Sequence, residues 1–212
     1  MARSRVAILI CAYNEEKTIK KIVNEAKKLG EVFIIDDGST DDTRKNIKYQ
    51  KINYFRNRKN IGYEKSLLKG FKIILTKKYD FLVTMDADGQ HKINSVKSAL
   101  LKIKNFDVVV GSRYTHNNLL EKILSYFTKK YLELNDILCG MKVYRLSKYK
   151  NYYDKNLDII GTSLLFYGIK LNLKISEIKI NCNLRKHGTS RYYSNLKNYF
   201  KIFKLIKKTI QS

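Results

Sequence analysis

Apolar runs alternate with polar loops along most of the chain, and the period of each run predicts its element. Residues 6–12 are continuously apolar, as in a strand buried on both faces. Residues 18–29 carry Ile19, Ile22, Val23, Ala26 and Leu29 at helical spacing, and Gly30 closes that helix. The same reading predicts strands at 32–35, 52–55 and 79–85, and helices at about 42–49 and 63–76. Beyond them come a helix at 93–104, a strand at 106–111 and a helix at 119–134. A loop and short strand follow within 136–145, then a helix at 161–171 and an alternating strand at 174–180. The β-α-β-α-β-α-β order of the first half predicts an α/β fold whose mostly parallel central sheet is flanked by helices.

Parallel sheets bind ligands at the carboxyl ends of their strands. Three polar motifs stand at such ends: Ala12-Tyr13-Asn14-Glu15, Asp36-Asp37-Gly38-Ser39 and Asp86-Ala87-Asp88. Asp86 and Asp88 are two residues apart, so in extended backbone both carboxylates reach the same side. Hard oxygens of this kind suit Mg²⁺ or Mn²⁺, which take few carboxylates and complete their shells with water and phosphate oxygens. Alone, the same pair is also what a solvated acidic turn looks like. Three polar motifs converging on one edge favour a site.

The chain has 212 residues, of which 44% are hydrophobic, enough for one α/β domain or one domain with a small appendage. The net charge of +24 favours anionic partners such as phosphorylated substrates, anionic lipid or nucleic acid. Nucleic acid fits poorly. The basic residues follow no recognition motif, and acidic loops face the cleft. Cys11, Cys139 and Cys182 lack metal-ligand spacing, and an odd number of distant cysteines points to a reducing compartment. The N-terminal run is too short for a signal peptide, and no apolar stretch is long enough to cross a bilayer.

The order of these motifs resembles the family-2 glycosyltransferases of the nucleotide-diphospho-sugar (GT-A) fold, and within them the polyprenol-phosphate (dolichol-phosphate mannose synthase-like) sugar transferases. The resemblance runs over roughly residues 5–191. Besides the three loops it includes residues 57–62, Gln90-His91 after the Asp-x-Asp, Val110-Gly111-Ser112-Arg113-Tyr114, residues 136–140, and Arg185 with Gly188-Thr189-Ser190.

What the resemblance implies is a metal-dependent, inverting transfer of a sugar from a nucleotide-diphosphate donor of the GDP-mannose or UDP-glucose type. The acceptor it implies is a polyprenyl phosphate, with a glycan hydroxyl as the alternative. Asp37 would accept a hydrogen bond from the nucleobase. Tyr13, Asn14 and Glu15 would line the nucleotide pocket, with Ala12, Gly38 and Ser39 in the same set. Asp86 would lie near the ribose or metal-bound water, and Asp88 with Gln90 would hold Mg²⁺ or Mn²⁺. Arg113 would face a phosphate and Asp136 the sugar and acceptor. Arg185 and Ser190 would close over the diphosphate. Ser163 stands where relatives often carry a glutamate, which leaves Asp136 and Asp158 as the nearby candidate bases; a phosphate acceptor tolerates the substitution because it is already an anion.

Residues 192–212 form a basic amphipathic stretch with aromatics, readable either as an interfacial helix on anionic lipid or as a helix packed on its own domain. The domain expectation is therefore 1–191 for the transferase and 192–212 for this helix. The expected location is the cytoplasmic face of a membrane, held peripherally or by a membrane partner subunit.

Overall fold

The computed structural model describes residues 4–114, 118–152, 162–182 and 196–210. Seven strands form one sheet in the order β3-β2-β1-β4-β6-β5-β7. They are β1 (Val6–Ala12), β2 (Glu31–Asp36), β3 (Asn53–Arg56), β4 (Phe81–Asp86), β5 (Val108–Arg113), β6 (Lys142–Arg145) and β7 (Ile175–Ile180). β1 pairs in parallel with β2 and β4, β2 with β3, and β5 with β7. β6 runs antiparallel to both its neighbours, β4 and β5. The apolar runs thus predict the strands well, whereas the reversed β6 departs from the parallel pattern. In consequence the chain that precedes β6, rather than the chain that follows it, reaches the ligand edge.

The helices are α1 (Ile19–Ala26), α2 (Thr43–Ile47), α3 (Tyr63–Leu75), α4 (Ile93–Lys102), α5 (Leu119–Leu132), α6 (Ser163–Lys170) and α7 (Leu196–Ile210). Alternation along β1 sorts them into two layers. Ala7, Leu9 and Cys11 face a core completed by Leu67 and Phe71 of α3, Leu124 of α5, Leu165 of α6 and Ile202 of α7. Ile8, Ile10 and Ala12 face the opposite core, filled by Ile22 and Val23 of α1 and Val96 and Ala99 of α4. Helix ends fall close to the expected positions. α5 begins at Asn118, whose side chain accepts the Glu121 N–H, and ends where Glu133 turns left-handed at φ 57°.

The C-terminal stretch folds as α7, and its apolar stripe is not all on the surface. Tyr199, Ile202 and Ile206 are buried, while Phe200 is 73% exposed.

Candidate active site

The strand register sets the first two loops side by side. Ala12 lies opposite Asp36, and Cys11 lies opposite Asp86. Leaving β1, the chain turns left-handed at Asn14 (φ 57°), a conformation asparagine tolerates. The Asn14 N–H donates to Ser39 Oγ at 3.0 Å, and Asn14 Oδ1 accepts the Thr40 N–H at 2.8 Å. The Glu15 N–H donates to Thr43 Oγ1 at 2.7 Å. The expected binding residues Asn14, Glu15 and Ser39 are therefore cross-linked to one another's loops.

Asp36 and Asp37 are both buried, and both are hydrogen-bonded within the protein. Asp36 Oδ1 accepts the Ser39 N–H at 2.7 Å, and Oδ2 accepts the Tyr54 hydroxyl. Asp37 Oδ1 accepts from Asn57 Nδ2 and the Ile61 N–H, each at 2.9 Å, and Oδ2 accepts the Gly62 N–H at 2.9 Å. Asp37 thus fastens the 57–62 loop ahead of α3. Gly38 sits between these carboxylates and that loop at φ +80°, and a Cβ there would press on the Lys59 and Asn60 backbone at 2.8–2.9 Å.

Asp86 is the last residue of β4, one position earlier in structure than a loop residue. The turn after it is tight. Asp88 Oδ1 accepts the Gln90 N–H at 2.9 Å, and Gly89 has φ +80°. Thr18 Oγ1 lies 2.6 Å from the Ala87 carbonyl, which ties the start of α1 to this turn. His91 Nδ1 accepts the Asp86 N–H at 3.3 Å, so the ring proton sits on Nε2, 3.8 Å from Asp86 Oδ2. Gly140 packs directly on the Asp86 carboxylate, and a Cβ at 140 would overlap both its oxygens.

Arg113 and Asp136, expected to face phosphate and acceptor, are brought together. Arg113 Nε donates to Asp136 Oδ2 at 2.7 Å and Nη2 to Oδ1 at 3.0 Å, while the Arg113 backbone N–H adds a third bond at 3.1 Å. Glu121 Oε2 of α5 stands 3.7 Å from the same guanidinium. Burial pushes the Asp136 carboxyl up, but the hydrogen bond and charge of Arg113 outweigh it and hold the group below the ordinary aspartate value.

Cys182 marks where these pieces meet. Burial pushes its thiol up to about 11, Arg113 pulls it down, and Asp136, Asp86 and Asp88 push it up again. One thiol thus senses both the Asp-x-Asp turn and the Arg113–Asp136 pair. Burial, with Asp86, Asp37 and Glu64 nearby, also raises the Cys11 thiol well above its usual range. The thiols at 11 and 182 are poor nucleophiles as a result. Arg185 and Ser190 lie outside the described residues.

Sequence reasoning missed Lys142. This lysine begins β6, is fully buried, and donates from Nζ to the Cys139 carbonyl. Burial lowers its pKa, opposed by Cys139, Asp136, Asp86 and Glu64. A lysine amine is therefore buried within electrostatic reach of Asp136 and Asp86. Its only sequence signal is a lysine interrupting the apolar residues of a short strand. Gly140 lies within the 136–140 motif, but its packing on Asp86 is visible only in three dimensions.

Among the described residues no group of three or more His, Cys, Asp or Glu is arranged to hold a metal alone. Asp86 and Asp88 supply hard oxygens, and the Asp86 side chain is 32% exposed at the rim. Such a pair, with Gln90 beside it, fits a divalent ion that shares its shell with water and a diphosphate.

A mostly parallel sheet with one reversed strand, carrying an Asp-x-Asp turn at its carboxyl edge, defines the nucleotide-diphospho-sugar transferase (GT-A) class. Among solved structures, glucosyl-3-phosphoglycerate synthase from Mycobacterium tuberculosis, in complex with Mn²⁺, UDP and phosphoglyceric acid, superposes with a TM-score of 0.77 at 13% identity, covering 98% of this chain and 78% of that one. The chain belongs to glycosyl transferase family 2, whose profile matches residues 7–167, and it is a glycosyltransferase. It is 32% identical to a UDP-N-acetylglucosamine–dolichyl-phosphate N-acetylglucosaminyltransferase of Methanococcus voltae, over 53% of each chain. It is 26% identical to an undecaprenyl-phosphate mannosyltransferase of Micrococcus luteus, over 88% of this chain and 87% of that one.

Proposed function

We propose that this glycosyltransferase moves a sugar from a nucleoside-diphosphate sugar of the GDP-mannose or UDP-glucose type to a polyprenyl phosphate. Transfer uses Mg²⁺ or Mn²⁺ and takes place at the cytoplasmic face of a membrane. The state of Asp136 carries the acceptor class. A hydroxyl acceptor needs a base to take its proton. Asp136 is a weak one, because Arg113 hydrogen-bonds both its oxygens and keeps it ionised. Ser163, at the first position of α6, brings no carboxylate. A phosphate acceptor is already anionic and needs no base. The names of the relatives support the same class.

In this reading an acceptor phosphate oxygen attacks the anomeric carbon from the side opposite the nucleotide. The bond to the departing diphosphate breaks, its electron pair leaves with the diphosphate, and configuration inverts. Arg113 offers its charge to a phosphate, in competition with Asp136 and Glu121. Asp86 and Asp88 with Gln90 would hold Mg²⁺ or Mn²⁺, which would neutralise charge at the departing diphosphate. Asp37 accepts three internal hydrogen bonds, and a carboxylate can accept about four, which leaves room for one nucleobase donor. Tyr13 and Glu15 line the nucleotide pocket in this reading. No helix among the described residues is long and apolar enough to cross a membrane.

The test is incubation of the purified chain with labelled nucleotide sugars, Mg²⁺ or Mn²⁺, and short-chain polyprenyl phosphate in detergent. A lipid-linked sugar is expected that disappears with Asp88→Ala and with chelator. Donor binding without lipid product for any sugar would overturn the phosphate acceptor and leave the glycan alternative.

A further inference from the structure

Helix α5 is apolar on its buried face and along an exposed stripe that adjoins it. Its inner face packs Leu124 and Thr128 into the domain. Its outer face carries Leu119, Ile123, Tyr126, Phe127 and Tyr131, spaced to form one stripe. Leu119 is 71% exposed, Tyr126 66% and Tyr131 45%. A helix with one buried face ordinarily turns polar side chains to water. A contiguous exposed apolar stripe marks a surface that meets something.

The surrounding charge indicates what it meets. Lys122, Lys129 and Lys130 are exposed on α5 itself. α7 packs beside it through Phe203, 5.6 Å from the Phe127 ring, and exposes Lys201, Lys204 and Lys207. Tyrosines with a polar tip, set among lysines, suit the boundary between headgroups and acyl chains better than they suit a dry protein interface. The whole chain carries +24, which matches an anionic surface. The first turn of α5 reaches the active site, where Glu121 stands 3.7 Å from Arg113.

We infer that the outer face of α5 lies on an anionic bilayer and brings the headgroup level to Arg113. The inference deepens the lipid-acceptor reading and rests on it for the expectation of a membrane-borne acceptor. It moves the apolar contact from the C-terminal helix, whose Tyr199, Ile202 and Ile206 are used inside the domain, to α5.

The experiment is co-sedimentation of the full chain with phosphatidylcholine vesicles, with and without about 30 mol % phosphatidylglycerol and without any polyprenyl phosphate. The wild-type chain is expected to bind the anionic vesicles at least about tenfold better than the neutral ones, with binding weakened by salt. The triple variant Leu119→Ser/Tyr126→Ser/Tyr131→Ser is expected to lose about tenfold or more in partitioning. Phe200→Ser is expected to lose less than about twofold. Circular dichroism confirms that each variant is folded. The inference is overturned if the triple variant sediments like wild type or if the wild type ignores anionic vesicles. It is equally overturned if the stripe proves to join two copies, seen as a concentration-dependent dimer that the triple variant abolishes without affecting vesicle binding. Transfer to short-chain acceptor in detergent, measured on the same proteins, reports separately. Its absence in wild type with vesicle binding intact would sink the acceptor reading and leave the surface standing.

Discussion

At the β3-β2-β1 side of the sheet, Asp36 and Asp37 accept hydrogen bonds from N–H groups and side chains of the neighbouring loops. At the β6-β5-β7 side, Arg113 and Asp136 bind each other. The first arrangement distributes two charges over many neutral donors that are fixed by the backbone. It holds a preformed shape, as a site that recognises a nucleotide needs. The second is a charge pair in which either member has a natural competitor. An arriving phosphate offers Arg113 the same bidentate geometry that Asp136 offers now. In the proposed reading the donor side is therefore built to stay, and the acceptor side to exchange partners.

The seam between these regions is where the largest effect is expected. Gly140→Ala puts a methyl group into the Asp86 carboxylate, and kcat/KM should fall about a hundredfold while the circular dichroism spectrum is retained. Activity within a few-fold of wild type would show that Asp86 can move without cost, and the two sides would then not depend on a shared, rigid seam.

Asp136→Asn should cost about 3 kcal/mol at neutral pH, because it leaves the enclosed Arg113 charge poorly compensated. The pH dependence has a definite sign. Asp136 is held below its ordinary value of 3.8 in the fold, so its stabilisation is complete above that value and is lost as pH falls through the lower folded one. Urea unfolding should therefore show a wide gap between wild type and variant at neutral pH that narrows in strong acid. A gap that does not vary with pH would contradict the pairing.

Asp37→Asn is the matching change on the donor side and should cost less, about 2 kcal/mol. Whichever oxygen becomes the amide, a backbone N–H of Ile61 or Gly62 loses its bond to residue 37, although Gly62 keeps Asn60 Oδ1 at 3.1 Å. Thermal melting should register the loss, and the donor KM should rise more than kcat falls. An unchanged KM would mean that the 57–62 loop contributes nothing to nucleotide binding.

Much of this architecture was legible in the chain because burial on both faces demands uninterrupted apolar runs. β1, β2, β4 and β5 announce themselves as Val-, Ile- and Leu-rich segments, and the polar residues after them fall at one edge. The direction of β6 was not legible. Four residues, one of them a lysine, carry no signal that distinguishes a parallel from an antiparallel strand. The pairing of Arg113 with Asp136 was equally hidden, since 23 residues separate them and each reads as a ligand for something else. Periodicity displayed the apolar stripe of α7 but not its destination. It gave no warning that α5 would be the helix with an apolar face left over, because an apolar residue in a helix reads as core by default.

β6 also has a bearing on how the chain comes together during synthesis. Among the described residues β4 pairs with β1 and β6, and β5 with β6 and β7, so the two parts of the sheet meet through the four residues of β6. The strand that fills the middle is made after both of the strands it joins. Until Lys142 to Arg145 emerge, β1 to β4 can assemble as one parallel unit while β5 has no place in it. The late arrival of a central strand makes the contacts long-range and the closing step slow. It also places a burden on that moment, because a buried lysine must be drawn in and matched with Cys139, Asp86 and Asp136 as the gap closes.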